Sequence, residues 1–146
     1  MTLELYLDNC CFNRPFDDQN QLKIYLETQA KLAIQEKILA GEYQLIWSYI
    51  LSYENAQNPN KITKNEISKW KGFSSLQIEE SPLIIEYAKN LMKSNISIKD
   101  ALHVSCAVVA KADYFITTDR KLLNKLTNSK QIRAITPITF IEEQDL

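Results

Sequence analysis

The chain is poor in the residues on which several common chemistries depend. It has one histidine, His103, three cysteines, Cys10, Cys11 and Cys106, and two glycines, Gly41 and Gly72. A zinc site needs a cluster of Cys and His ligands, which this set cannot supply. Three cysteines, two of them adjacent, make no disulfide framework. No second histidine accompanies Cys10 or Cys106 as a base, so both read as small buried apolar groups rather than nucleophiles. Two isolated glycines cannot build a GxGxxG turn or a P-loop, which removes the usual nucleotide-binding modules.

Excess charge is lacking too. Seventeen Lys and Arg stand against eighteen Asp and Glu, for a net charge of -1. A protein that grips nucleic acid over a broad surface carries surplus Lys and Arg. Any nucleic-acid contact here has to be local or assisted by metal. Glu4 and Asp8 interrupt the only early apolar run, unlike a secretion signal, and no run reaches transmembrane length. A reduced, cytoplasmic protein with no membrane partner is expected.

What is present fits one domain: 146 residues, 45% hydrophobic and 24% charged. Alternation over Thr2–Leu7 predicts a strand, and Asn13–Asn20, with Arg14-Pro15, a loop. Leu22, Tyr25, Leu26, Ala30, Ala33, Ile34 and Ile38 keep the helical spacing of an amphipathic stripe up to Gly41. A strand at Gln44–Trp47 leads to Ser48, an N-cap for a helix with Ile50, Leu51 and Glu54 that Asn58-Pro59 ends. Thr63 and Glu66 suggest a capping box for a helix running to Gly72. Ser81-Pro82 opens another helix through Met92, and Ser97 caps the almost wholly apolar helix Ile98–Lys111, which should be central and buried. A strand at Tyr114–Thr117, a helix at Arg120–Leu126, a strand at Ile132–Ile135 and a closing turn after Thr136-Pro137 complete the chain. Strands separated by helices of this length predict an α/β fold, a three-layer α/β/α sandwich with a central parallel sheet.

In such folds ligands bind beyond the carboxyl ends of the strands. Four acids fall there or on inward faces. Asp8 ends the first strand, and Glu54 shares the stripe of Ile50 and Leu51. Asp100 lies in the first turn of the buried helix, where the helix dipole favours an anion, and Asp119 follows the third strand. Singly, each has a plain structural role: Asp8 in a turn, Glu54 as a rim charge, Asp100 in a capping box, Asp119 as an N-cap. Together they point to one cluster that repels itself unless a cation neutralises it, so replacing Asp8 with Asn should relieve strain. Oxygen ligands without His or Cys match Mg²⁺ or Mn²⁺, metals suited to phosphodiester hydrolysis.

The chain also resembles the PIN domain family, which includes VapC-like ribonuclease toxins. The resemblance runs from LYLDNCCFNRPFDD through SYILSYEN to IKDALHVSCAVVAKADYFITTDRKLL. Asp8 is similar to that family's first acid, Glu54 to its second and Asp100 to its third, while Thr117 with Asp119 resembles its T-x-D ending. The resemblance implies a parallel sheet, Mg²⁺ or Mn²⁺, endonuclease action on RNA and restraint by a small antitoxin protein. A homo-oligomer, a dimer, is the expected assembly. One departure stands: Cys10 sits where the family carries a small hydroxyl residue or Asn.

Among neighbouring residues, Arg14, Asn9, Thr117 and Arg120 are candidates for substrate contact, the arginines for phosphate. Lys99 reads as a solvated surface charge, His103 as a hydrogen-bonded core residue, and Asp17 and Asp18 as caps of the following helix. Trp47 and Trp70 read as core or rim. Two other functions stay open at this point. An aspartate-dependent phosphatase would use Asp8 as nucleophile, but its second Asp is replaced by Cys10. A non-catalytic PIN-type scaffold would have little reason to keep four clustered acids.

Overall fold

Alternating and β-branched runs give five short strands in the computed structural model, which describes residues 2–145: β1 (Leu3–Leu7), β2 (Tyr43–Ser48), β3 (Leu76–Ile78), β4 (Tyr114–Ile116) and β5 (Arg133–Ile135). All pair in parallel, in the order β3-β2-β1-β4-β5. The order places β1 at the centre. The chain leaves β1 toward β2 and β3 on one side, then returns to β4 and β5 on the other. That reversal is a topological switch point, and it opens a crevice at the carboxyl ends of β1 and β4.

The connecting helices are α1 (Asn9–Asn13), α2 (Leu22–Leu39), α3 (Tyr49–Ala56), α4 (Lys61–Ser68), α5 (Pro82–Met92), α6 (Ile98–Val109), α7 (Arg120–Leu126) and α8 (Pro137–Gln144). The closest helix pairs are α5 with α6, and α2 with α8. Leu5, Tyr6 and Leu7 of the central strand are completely buried. Because successive strand residues face opposite sides, Tyr6 reaches α6 while Leu5 and Leu7 serve the other layer. Each large side chain taken fully from water contributes about 1.5–3 kcal/mol, so this strand anchors the crevice residues that follow it.

Several local expectations are met by explicit hydrogen bonds. The hydroxyls of Ser48, Ser81, Ser97 and Thr136 accept from backbone N–H groups at the starts of α3, α5, α6 and α8. Others fail for physical reasons. α1 is absent from the sequence reading: Asp8 itself caps this short helix, so the turn begins immediately after the strand. Inside the expected loop, Arg14–Phe16 form a 3-10 turn. Asn60, not Thr63, caps α4, and Thr63 is buried inside it. Asp17 and Asp18 do not cap α2; Gln21 occupies that place, Asp17 pairs with Arg14, and Asp18 accepts from the Asn20 N–H. β3 is a three-residue edge strand with exposed Leu76 and Gln77, too short and too wet to leave a pattern.

The largest departure is in α2. Leu22, Tyr25 and Leu26, three of the seven residues of the apolar stripe, are exposed at 71%, 46% and 45%. Glu27, Thr28, Lys31 and Gln35 are turned inward with Ala30, Ile34 and Ile38. Among the described residues no helix is long and apolar enough to cross a membrane, and all three cysteines are free.

Candidate active site

The crevice at the strand ends collects all four predicted acids. Asp8, Glu54, Asp100 and Asp119 line one cleft of about 280 Å³, together with Asn9, Cys10, Ser97 and Lys99. They arrive from four places: the end of β1, the second turn of α3, the start of α6 and the start of α7. A larger cleft, about 720 Å³, lies beside α7 and β5 and contains none of the four. Chemistry rather than size distinguishes the smaller one.

Asp8 is the best-held acid. Its backbone N–H donates to Ile116 O at 2.9 Å, tying the end of β1 to β4. Asp8 Oδ1 accepts from the Asn9 N–H at 2.8 Å, and Oδ2 accepts from the Thr117 hydroxyl, also at 2.8 Å. The Cys10 thiol donates to the same Oδ2 at 3.6 Å and lies 3.3 Å from Thr117 Oγ1. Cys10 is therefore a half-buried member of the cleft and not an inert apolar group. It fills the place of a hydroxyl donor.

Glu54 is held by a buried relay. The Ser48 hydroxyl lies 2.6 Å from the Tyr6 hydroxyl, which lies 2.6 Å from His103 Nδ1. His103 Nε2 contacts Glu54 Oε1, and Asn9 Nδ2 donates to Oε2 at 3.4 Å. An ionised carboxylate only accepts, so Nε2 carries the hydrogen. Burial would raise the Glu54 carboxyl, but the His103 hydrogen bond and charge, with Lys99 and Asn9, hold it below its ordinary value. The core role expected for His103 is met, and the same ring also orients an acid. The sequence carried a signal for this: His103 lies at i+3 from Asp100 on an inward helix face.

Asp100 is where like charges collide. Burial first, then the charges of Asp8 and Asp119, push its carboxyl above the ordinary value despite a Ser97 hydrogen bond that opposes the rise. Asp119 caps α7, accepting from the Lys121 and Leu122 N–H groups, so its structural and site roles coincide.

Of the other candidates, Thr117 and Asn9 join the acids. Arg14 does not. Its guanidinium is taken by Glu27 at 3.0 Å and Asp17 at 2.8 Å, a double pairing that leaves it outside the cleft. Arg120 is exposed and lines the larger cleft near β5 instead. The cations at the acids are Lys99, in the cleft itself, and Lys121 and Lys125, in an adjoining cleft that shares Ser97, Asp100 and Asp119. Lys99 is exposed, as a solvated charge should be, and it also lines the cleft.

The donors can be tested against a divalent cation. Among the described residues no three His, Cys, Asp or Glu side chains form a ready-made metal group. Zinc prefers Cys and His ligands, and of these the cleft lining offers only Cys10. The lining's carboxylate and amide oxygens are the kind of donor that would suit Mg²⁺ or Mn²⁺, which keep much of their own water and lean on one or two carboxylates. Asn9 Oδ1 adds a second observation: it is buried in the cleft lining with no hydrogen-bond partner among the described residues. An unpaired oxygen beside repelling carboxylates suits a hydrated cation.

No known family model matches the sequence, and no curated protein matches it. Solved structures do. A chain in the crystal structure of VapBC2 from Rickettsia felis, bound to a DNA fragment from its promoter, matches with a TM-score of 0.58 at 14% identity, covering 92% of this chain and 98% of that one. PAE2754 from Pyrobaculum aerophilum matches with a TM-score of 0.58 at 16% identity, covering 97% of this chain and 88% of that one. At such identities the likeness is one of architecture. The chain has a PIN-like fold, an α/β arrangement with an all-parallel five-stranded sheet.

Proposed function

We propose that this chain is a divalent-metal-dependent endoribonuclease that hydrolyses RNA phosphodiester bonds and acts as the toxin of a toxin–antitoxin pair. The observation that carries the reading is the meeting of Asp8, Glu54, Asp100 and Asp119, from four separated segments, in one cleft at the switch point of the sheet. Four acids spread over more than a hundred residues have no folding reason to converge, because mutual repulsion opposes it. The PIN-like fold, shared with a chain from a toxin–antitoxin complex, supports the same reading.

Asp8, Asp100, Asp119 and the Asn9 carbonyl are the groups that would hold Mg²⁺ or Mn²⁺, with Glu54 at its edge. When bound, such an ion neutralises phosphate charge and lowers the pKa of its water, which makes a nucleophile near neutral pH. The protein's own residues do the rest. Thr117 and Cys10 fix the Asp8 carboxylate against β4. His103 fixes Glu54, whose depressed carboxyl stays ionised and can accept a proton from attacking water. Lys99, Lys121 and Lys125 give the phosphate backbone a local cationic approach that the net charge of -1 does not provide. Water attacks phosphorus, one P–O ester bond breaks, and the leaving oxygen takes a proton.

In this reading the cleft is also what a small antitoxin protein covers, and a guanidinium is the group that best matches clustered carboxylates. The test has two arms. Purified protein should cut single-stranded RNA with Mn²⁺ and stop on adding chelator, and its overproduction in bacteria should slow growth. Intact RNA under saturating Mn²⁺ would leave a non-catalytic scaffold as the function. Cleavage without growth arrest would keep the nuclease and remove the toxin role.

A further inference from the structure

The inward face of α2 carries polar groups that the fold does not fully use. Glu27, Lys31 and Gln35 follow one another at four-residue steps and are 0%, 3% and 5% exposed. Glu27 is answered by Arg14. Lys31 is not answered: its ammonium makes no hydrogen bond and no ion pair with any described residue. It lies only over aromatic rings, 5.6 Å from the Phe12 centroid and 5.9 Å from that of Trp70. One turn on, Gln35 Nε2 is buried without an acceptor. Burial lowers the Lys31 amine to about 8, so it remains mostly charged near neutral pH. A largely buried lysine whose ammonium meets no protein acceptor, beside an unmet amide, is costly unless something at the cleft supplies acceptors.

Both groups open onto a cleft of about 220 Å³ walled by Phe12, Phe16, Ile67 and Trp70. Glu66 lies at its edge, but its carboxylate is engaged by Lys69 at 2.8 Å. Beside the cleft, Tyr25, Leu32 and Leu39 repeat at seven-residue steps along the outer side of α2, exposed at 46%, 42% and 57%. Such spacing lines them up as one apolar seam.

We propose that this cleft docks a segment of a partner protein that inserts an Asp or Glu side chain between apolar residues, the carboxylate accepting from Lys31 Nζ and Gln35 Nε2. One cation and one amide donor match a single negative charge on a two-oxygen group. The apolar walls take the flanking side chains. A free metabolite fits less well, because pockets that enclose small ligands run to about 300 Å³ and more, and this one is continuous with an exposed apolar seam. The inference does not rest on the nuclease reading, since none of the four acids lines this cleft.

The test is a titration of the full chain, followed by the Trp70 indole resonance, with two capped peptides, acetyl-Leu-Glu-Phe-Leu-amide and its Gln twin. The Glu peptide should give a saturable shift at Trp70, and the Gln peptide should bind about tenfold more weakly, the effect of losing charge-assisted hydrogen bonds. Lys31→Met should erase the preference, Gln35→Leu should reduce it, and Asp100→Asn should bind as wild type does. No saturable shift with the Glu peptide, equal binding of the two peptides, or an undiminished preference in both Lys31→Met and Gln35→Leu would overturn the proposal.

Discussion

His103 joins Tyr6 to Glu54: one ring nitrogen takes the Tyr6 hydroxyl at 2.6 Å, and the other holds the carboxylate. The contact links the centre of the sheet to the rim of the acid cleft through a side chain that is 1% exposed. His103→Ala removes one hydrogen bond from each partner, leaving Tyr6 with Ser48 and Glu54 with Asn9, and empties a buried site. Urea unfolding should show a loss of about 2–3 kcal/mol, from two weakened hydrogen-bonded groups and the cavity left by a buried ring. An unchanged midpoint would mean that the relay does not hold the site.

The same contact sets a pH dependence. A carboxyl whose folded value is depressed contributes stability that is complete above its ordinary value, 4.5 for Glu54, and is lost as the pH falls through the folded value. Glu54→Gln should therefore destabilise the protein near pH 7, and the gap to wild type should close below that value. A gap that widens on acidification would contradict the sign.

Charge repulsion in the cleft falls on Asp100. The Asp8 oxygens are engaged by Asn9, Cys10 and Thr117, so the relief expected from Asp8→Asn is offset by lost hydrogen bonds. Asp100, raised by burial and by Asp8 and Asp119, has fewer such ties. Without metal, Asp100→Asn should raise the melting temperature and Asp8→Asn should lower it. Mn²⁺ at a hundredfold excess over its Kd should stabilise wild type by about 2.7 kcal/mol and Asp100→Asn by much less. Equal metal responses would separate Asp100 from the metal.

Much of this was legible in the sequence. Hydroxyl caps before apolar runs gave the starts of α3, α5, α6 and α8, and strand–helix alternation gave the parallel sheet. The four acids were found because an acid at a strand end or on an apolar face is rare. What stayed hidden depends on tertiary partners. Arg14 looked free to bind phosphate because nothing local shows that Glu27, thirteen residues away, is buried against it. Lys99 is exposed as read, but its nearness to Glu54 is created by the fold. α2 misled for the same reason: its apolar residues suggest one face, and packing against α8 and the aromatic cluster selects another.

The central claim is tested most directly by RNA cleavage under single-turnover conditions in Mn²⁺, wild type beside Asp100→Asn, with circular dichroism confirming that both are folded. Removing one member of an electrostatic site typically costs a factor of about 10²–10³. The account predicts a loss of at least that size in Asp100→Asn, at a pH where wild type is fully active. Cleavage at the wild-type rate by folded Asp100→Asn would contradict it.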